Sequence, residues 1–324
     1  MAATRTRSVL AWHVHGSWME SFVSGRHRYL LPLSPDGGPD GRGRCGRNWP
    51  GTEEVTLDEL RDSAVDLVVL QRPEEIAMVR RWLGRRPGVD IPAVYVEHNA
   101  PRSAAATSVH PLAERSDIPI VHVTDFNRLM WDNGCAPTIV IDHGIADPGP
   151  RYLGDIPAAA TMINEPVRRW RVVGADLLGD LGASVPIDVW GIGTTELNDT
   201  PYRRSGVTGL GDVPSAQLLG EVAHRRVYLH TARWTSLGLS LVEAMFLGMP
   251  VVAVASTMTP MVVPEDAGVV SADVAVLSRA LTEYLADETA AQIAGKAARS
   301  FALTHFGLDR FLAQWDDVIE SVCG

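Results

Sequence analysis

Residues 234–250 decide the fold: they read WTSLGLSLVEAMFLGMP and run directly into VVAVA at residues 251–255. The pattern predicts a glycine-bearing loop, a helix of about two turns, a Gly-Met-Pro stop and a buried strand. A loop that enters a helix exposes free backbone N–H groups, which favour an anion. Glu243 lies one turn inside the predicted helix. A diphosphate on the amides of residues 236–239 would therefore leave this carboxylate to bind ribose hydroxyls.

The same residues also have a purely structural interpretation. Ser240 and Glu243 stand at the S-x-x-E spacing of a capping box, in which two side chains satisfy the first amides of a helix. Gly248 and Pro250 suit the end of any helix. A capping box does not explain Gly238, one turn upstream of Glu243. We therefore favour anion and ribose binding, with the capping box as the alternative.

Length and composition predict two globular domains. The chain has 324 residues, more than the roughly 250–300 at which a single core stops growing. Apolar residues make up 46% and charged residues 21%, as in soluble globular proteins. The formal charge of −10 argues against nucleic acid as a partner.

Cysteine usage and apolar runs bear on the location of the protein. The three cysteines lack close spacing, so neither a disulfide framework nor a zinc site is indicated. No stretch approaches the ~18–20 apolar residues of a membrane span, and the first residues lack a signal-peptide pattern. We expect a soluble, cytoplasmic protein, and peripheral contact with a membrane stays open.

Short apolar runs without alternation predict buried parallel strands, and helical patterns lie between them. In the first half, strands are predicted at residues 9–14, 65–70, 93–96, 120–123 and 138–141, and helices at 57–63, 73–83 and 125–133. In the second half, strands are predicted at residues 159–163, 187–190, 207–210, 227–230, 251–254 and 268–270, and helices at 172–181, 215–224, 240–248, 274–285 and 309–322. This alternation predicts α/β domains with parallel sheets.

The proline-containing segment 147–157 is the best candidate for a linker. We therefore predict a first domain at residues 1–150 and a second at residues 151–304. Residues 33–51, rich in Gly, Pro and Arg, predict a long loop in the first domain. The last predicted helix is left over from the second domain, which is complete without it.

Two polar segments follow predicted strands of the first domain. Glu97-His98-Asn99 comes directly after the strand at residues 93–96, at the edge where open α/β sheets bind ligands. His98 is the candidate there, with a satisfied structural histidine as the alternative. After the first strand, Gly16 permits close approach of the backbone to a ligand. His13 and His15 would share a strand face if the strand continued, but no third metal ligand stands nearby, so we predict no metal site.

Arginines mark the start of the second domain. Arg168, Arg169 and Arg171 stand on a predicted loop before the helix at residues 172–181. Guanidinium groups suit phosphate, so we predict that one or two of them neutralise a diphosphate. A solvated helix start is the alternative. Arg233, two residues before Thr235, is a further candidate for the phosphate.

Residues 234–250 resemble the sugar-nucleotide signature of retaining GT-B glycosyltransferases of family 4. In that signature two glutamates stand eight residues apart; the second binds ribose and the first contacts the donor sugar. Glu243 matches the second, whereas Thr235 stands at the first. Residues 173–178 resemble the Lys-Gly-x-Asp-x-Leu pattern of the family, with Val173 at the Lys position. His98 matches a histidine that faces the donor sugar in the family.

This resemblance implies an α/β protein with two Rossmann-like domains facing across a cleft, and a last helix, at about residues 305–324, that packs back on the first domain. It implies a metal-independent, retaining, hexosyltransferase-like enzyme that needs no cofactor, with a nucleotide diphosphate sugar as donor and an acceptor that stays open. His98 is then the catalytic residue. The donor-binding residues are then Gly16, Arg168, Arg169, Arg171, Arg233, Thr235, Ser236, Leu237, Gly238, Leu239 and Glu243.

Two other functions stay open. Thr235 and Val173 fit a catalytically impaired binding or regulatory protein of the same fold. A nucleotide-sugar epimerase of similar architecture would need a base near the sugar ring in the second domain. No G-x-G-x-x-G follows a predicted strand, which disfavours a nicotinamide cofactor.

Overall fold

The chain forms two compact units. A computed structural model describes residues 5–102, 104–199 and 205–324. Unit 1 comprises Met1–Ala146 and Leu308–Gly324, and unit 2 comprises Asp147–Gly307. The sequence places the domain boundaries at residues 150 and 304, close to these two positions. The last helix of the chain belongs to unit 1.

Each unit contains one parallel sheet. The strands of unit 1 are β1 (Ser8–Ala11), β2 (Arg28–Leu33), β3 (Thr52–Thr56), β4 (Leu67–Leu70), β5 (Ala93–Glu97), β6 (Ile120–His122) and β7 (Thr138–Val140). The strands of unit 2 are β8 (Ile156–Met162), β9 (Ile187–Trp190), β10 (Val207–Gly211), β11 (Arg225–His230), β12 (Val251–Val254) and β13 (Gly268–Ser271). Within the described residues, the orders are β3-β2-β1-β4-β5-β6-β7 and β10-β9-β8-β11-β12-β13.

Helices connect these strands. They are α1 (Gly16–Phe22), α2 (Leu57–Leu60), α3 (Glu75–Leu83), α4 (Asp125–Met130), α5 (Pro166–Val173), α6 (Leu178–Gly182), α7 (Ser215–Ala223), α8 (Leu239–Leu247), α9 (Thr259–Val262), α10 (Val274–Ala286), α11 (Glu288–His305) and α12 (Leu308–Cys323). Across the three described ranges, no helix combines the length and the apolar character that a bilayer crossing requires.

The sheet of unit 1 is buried through its centre. Leu10 lies opposite Leu30 on one neighbouring strand and opposite Val68 on the other, and all three side chains are fully buried. Strands buried on both faces read as continuous apolar runs, which is why the sequence marks β1 and β4 so clearly.

Helix α12 completes the core of unit 1. Its Trp315 ring lies 5.7 Å from Trp18 and 4.9 Å from Phe22, both in α1. Gly144 permits this packing, because a Cβ there would come within 2.2 Å of the Cβ of Phe311. The end of the chain is therefore part of the hydrophobic core that surrounds β1.

Some elements differ from the sequence pattern for identifiable reasons. The pattern does not predict β2 or β3, since Pro32 interrupts the first, and the second is an edge strand with charged Glu53 and Glu54. It also does not predict α1, α9 or α11. The predicted helix at residues 172–181 is wrong as one element: α5 ends before Gly174, whose φ of +71° starts a 3-10 turn that leads into α6.

Candidate functional site

In each unit the order of strands reverses at one point of the sheet. This point lies between β1 and β4 in unit 1, and between β8 and β11 in unit 2. The loops that leave the carboxyl ends of two such strands diverge to opposite faces and leave a crevice, where open α/β sheets bind ligands. In unit 2, α5 follows β8 and the loop with Thr235 follows β11. The sequence-predicted donor residues of unit 2 therefore flank its switch point.

The loop after β11 enters α8 at Gly238, the N-cap residue of that helix. The N–H of Leu241 bonds back to the Gly238 carbonyl at 3.0 Å. The amides of Leu239 and Ser240 have no hydrogen-bond partner among the residues that the structure describes. Unused amides at a helix N-terminus, together with the helix dipole, favour an anion.

The capping-box alternative is wrong. Ser240 is the second residue of α8 rather than the residue before it, and no side chain of the described residues caps this helix. The S-x-x-E spacing is therefore coincidental here, and the structure uses neither Ser240 nor Glu243 to close the first turn.

Position 238 requires a glycine, because the backbone there passes close to the ring of His230. A Cβ at this position would lie 2.6 Å from Cε1 of His230, the last residue of β11. Burial lowers the pKa of His230 to about 4, so the ring is neutral at physiological pH. The glycine thus lets the loop pass directly over the end of the strand.

Glu243 is a partly buried carboxyl group on α8. Burial raises the pKa of its carboxyl to about 7. In the three described ranges, no side chain or backbone group forms a hydrogen bond or an ion pair with it. Buried polar groups are normally satisfied, and exceptions call for an explanation. A ligand that donates hydrogen bonds to the carboxylate would supply one.

The remaining predicted residues of this loop lie between β11 and Gly238. Thr235 is partly buried, and Ser236 and Leu237 are each 7% exposed. The side-chain hydroxyl of Thr235 makes no hydrogen bond with the described part of the chain.

The arginines of the second domain lie on a helix. The predicted loop position of Arg168, Arg169 and Arg171 is wrong, because all three belong to α5. Arg168 binds Glu165 through two N–H groups, one of them at 2.8 Å, and its side chain is 68% exposed. Its charge is therefore already neutralised on the surface.

Arg171 and Arg233 share one carboxylate. Arg171 donates to Asp176 at 3.0 Å, and Arg233 donates to both oxygens of Asp176, one of them at 3.0 Å. Arg233 also donates to the carbonyl of Arg171 at 3.2 Å. Asp176, whose pKa is lowered by Arg233 and Arg171 against the opposing effect of its own burial, holds the two guanidinium groups beside the loop that enters α8.

Backbone contacts fix this arrangement. The N–H groups of Arg233 and Trp234 donate to the Val172 carbonyl at 2.9 and 3.2 Å. Gly174 permits the approach, because a Cβ there would come within 1.9 Å of the Thr231 carbonyl. Val173, at the Lys position of the resembled pattern, is buried in the core of unit 2.

In unit 1, the structure separates the roles of the polar triplet after β5. Glu97 accepts from the N–H of Asn99 at 2.7 Å and lies 3.3 Å from Nε2 of His110. The carbonyl of Asn99 accepts from Nε1 of Trp131 at 2.9 Å. Glu97 and the backbone of Asn99 therefore have structural partners, and His98 between them bonds through Nε2 to Gln71, the residue that follows β4.

His98 lies among other rings near the switch point of unit 1. Its ring centroid is 4.1 Å from that of His15 and 5.0 Å from that of Trp18. Burial, with the neighbouring His15 and His143, holds the pKa of His98 well below its usual value. His98 is therefore neutral at physiological pH.

The segment after β1 differs from its prediction. The strand ends at Ala11, so His13 and His15 do not share a strand face. Gly16 is the first residue of α1 rather than part of a loop. A Cβ there would lie 2.9 Å from Nη2 of Arg47, whose other amino group donates to a glutamate of α1. The guanidinium of Arg47 therefore lies directly over this glycine.

Sequence reasoning missed Gln71, His15 as a neighbour of His98, and the orienting role of Asp176. Gln71 carries the same signal as His98, since it is the first polar residue after a buried strand, β4. The Asp176 contacts join residues 57 positions apart, which no local pattern contains.

Part of unit 2 is similar in sequence to a known protein family. Residues 204–301 match the family described as Glycosyl transferases group 1, a range that contains the loop after β11 and all of α8. This part of unit 2 is therefore similar in sequence to group 1 glycosyltransferases. No curated protein matches the chain in sequence.

Solved glycosyltransferases have the same fold. HepE of Anabaena, in complex with UDP, is 14% identical with a TM-score of 0.74, over 98% of this chain and 100% of that one. Sucrose-phosphate synthase of Thermosynechococcus elongatus is 15% identical with a TM-score of 0.72, over 97% and 98%. A variant of S. aureus TarM is 14% identical with a TM-score of 0.65, and this chain, matched over 81% of its own length, spans 56% of the TarM chain. The predicted GT-B class, with two Rossmann-like α/β units, is confirmed.

Proposed function

We propose that the protein is a group 1 glycosyltransferase that moves a sugar from a nucleotide diphosphate sugar to an acceptor with retention at the anomeric carbon, and that it uses neither a metal ion nor a cofactor. The observation that carries the proposal is Glu243, a partly buried carboxyl without a partner in the described residues, one turn inside a helix whose first amides are unused. Two adjacent ribose hydroxyls would satisfy this carboxylate. The diphosphate would then lie at the start of α8.

Such a transfer requires that the charges that develop in the transition state be stabilised. As the bond between sugar and diphosphate breaks, the leaving diphosphate gains negative charge. The amides of Leu239 and Ser240 point from a helix N-terminus and are preorganised for that charge. Arg233 contributes from the same loop: Asp176 orients it, and three of its five N–H groups are used within the described structure, which leaves two for phosphate.

The other donor residues take supporting roles in this proposal. Thr235 offers one neutral hydrogen bond to the donor sugar, where a glutamate would form a charge-assisted one about twice as strong. Residues 236–238 provide backbone groups close to the diphosphate. Arg169 and Arg171 add positive charge from α5, and Gly16 lies on the acceptor side.

His98 binds a hydroxyl of the donor sugar and stabilises the positive charge that develops at the anomeric centre. The acceptor oxygen attacks from the face that the diphosphate leaves, and its proton passes to a diphosphate oxygen. We assign no side chain as a covalent nucleophile, because Glu243 is committed to the ribose.

Donor hydrolysis tests this proposal without knowledge of the acceptor. UDP-, GDP-, TDP- and ADP-sugars are incubated with the protein over many hours, and the products are followed by proton NMR. We expect one donor to release nucleoside diphosphate together with a free sugar whose first-formed anomer matches the donor. An inverted anomer would contradict retention, and an epimerised donor would indicate an epimerase instead.

One observation favours a second function, a binding or regulatory protein that has lost transfer. Val173 lies in the hydrophobic core at the position where the resembled pattern has a phosphate-binding lysine. A protein that binds a nucleotide sugar, yet leaves every donor intact through the incubation, would establish this second function.

A further inference from the structure

Gln71 connects His98 to the backbone of Trp12, the residue that follows β1. Its Nε2 donates to the carbonyl of Trp12 at 2.6 Å, and its Oε1 lies 3.0 Å from Nε2 of His98. Gln71 follows β4 and is 6% exposed, and Trp12 is 1% exposed. The three groups therefore form a short chain of hydrogen bonds across the switch point of unit 1.

The donor and the acceptor in each of these hydrogen bonds follow from the chemistry of the groups involved. A backbone carbonyl only accepts hydrogen bonds, so the amide group of Gln71 must present its NH₂ to Trp12 and its oxygen to His98. An amide oxygen also only accepts. The proton between Gln71 and His98 must therefore belong to Nε2 of the histidine, and this neutral ring has an unprotonated Nδ1.

The backbone of Gln71 is fixed as well. Its N–H donates at 2.6 Å to Glu75, a fully buried carboxylate that also binds the N–H and the guanidinium of Arg72. This network holds the start of the loop after β4, so the side chain of Gln71 has little freedom to turn away from His98.

We propose that Gln71 is a positioning residue that holds His98 in its Nε2–H tautomer and so presents the Nδ1 lone pair as an acceptor for one hydroxyl of the donor sugar. The contact with a donor sugar rests on the proposed function, whereas the tautomer of His98 follows from the geometry of unit 1. Nδ1 has no hydrogen-bond partner among the described residues, and the side chain of His98 is partly exposed. His98 thus accepts from the sugar and does not donate a proton to the leaving group.

The tautomer is measured directly in the unaltered protein. Long-range proton–nitrogen NMR spectra of protein with ¹⁵N-labelled histidine distinguish protonated from unprotonated ring nitrogens. The chain has 10 histidines, and the His98 signals are those that disappear in His98→Ala. We expect a protonated Nε2 and an unprotonated Nδ1. The reverse pattern would overturn the proposal, whether or not the protein transfers sugar.

Variants of Gln71 then test the positioning role. Gln71→Met removes both hydrogen-bonding groups at similar volume, so we expect His98 to populate both tautomers and the kcat of donor hydrolysis to fall about tenfold, as the loss of roughly one hydrogen bond requires. The KM for the donor should change much less, since the nucleotide binds to unit 2. In Gln71→Glu, a protonated carboxyl would keep one donor and one acceptor, and we expect it to restore the wild-type tautomer.

Gln217→Met is the matched control, because the side chain of Gln217 is exposed on α7 and, among the described residues, bonds to Glu221 of the same helix. It should leave tautomer and kcat unchanged. An unchanged His98 tautomer in a folded Gln71→Met protein would refute the role of Gln71. A wild-type protein with the expected tautomer but no turnover of any donor would instead refute the proposed function.

Discussion

At the scale of single residues, ionisation of Glu243 carries an energetic cost in the folded protein. Burial raises the pKa of its carboxyl from 4.5 to about 7. In the unfolded chain this carboxyl ionises freely, whereas in the folded protein its ionisation is unfavourable. The stability that the protonated form provides at low pH is therefore lost as the pH rises from about 4.5 to about 7.

Glu243→Gln should consequently stabilise the ligand-free protein at alkaline pH. Glutamine keeps the shape and never ionises, so we expect a gain of about 3 kcal/mol at pH 8 and almost none at pH 4.5, from the 1.36 kcal/mol that each pKa unit represents. Urea unfolding of unit 2 at the two pH values measures this gain. The control is Glu265→Gln, at an exposed glutamate of the same unit. A loss of stability at pH 8 would indicate that the carboxylate has a structural partner after all.

The sequence predicts candidate site residues that stand directly after a buried strand or near the start of a helix. Glu243, His98 and Gly238 all belong to this group, because their spacing from a buried run is readable. Gln71 and Asp176 act through partners 27 and 57 residues away, and only the folded chain brings these pairs together.

At the scale of elements, close packing of two backbones explains a helix that the periodicity of apolar residues does not predict. Helix α11 buries Ala291, Ala294, Gly295, Ala298 and Ala302 rather than large apolar side chains. Its buried face therefore lacks the apolar stripe that marks a helix in a sequence. The small residues let α11 pack directly against the end of α8.

Gly295 is the tightest point of that contact. A Cβ there would lie 1.9 Å from the carbonyl oxygen of Gly248, which ends α8. Gly295→Ala should cost about 1–3 kcal/mol, because the backbone of one helix would have to move. Thermal unfolding of unit 2 measures the loss.

Gly220, in the interior of α7, is the matched control. A Cβ at this position would meet no atom of the described side chains and backbone within 4 Å. Gly220→Ala should therefore raise stability by about 0.5–1 kcal/mol, since alanine restricts the unfolded chain and favours the helix. Equal effects of the two alanines would contradict the close approach of α11 to α8.

At the scale of the whole molecule, α/β alternation alone predicts two parallel sheets. The return of the last helix to unit 1 followed only from the resemblance, because an amphipathic helix does not reveal which core it completes. Trp315 and Phe311 bury their rings in unit 1, across a gap of more than 160 residues from Gly144. Long-range packing of this kind is absent from any local pattern.

The central claim is that unit 2 binds a nucleoside diphosphate through the start of α8 and Glu243. Titration calorimetry of UDP, GDP, TDP and ADP at pH 8 tests it most directly, with wild-type protein and with the stabilised Glu243→Gln variant. We predict that at least one nucleotide binds the wild type, and that Glu243→Gln weakens its binding about tenfold or more, as the loss of charge-assisted hydrogen bonds requires. Equal affinity in the two proteins, or no binding of any of the four nucleotides, would contradict the claim.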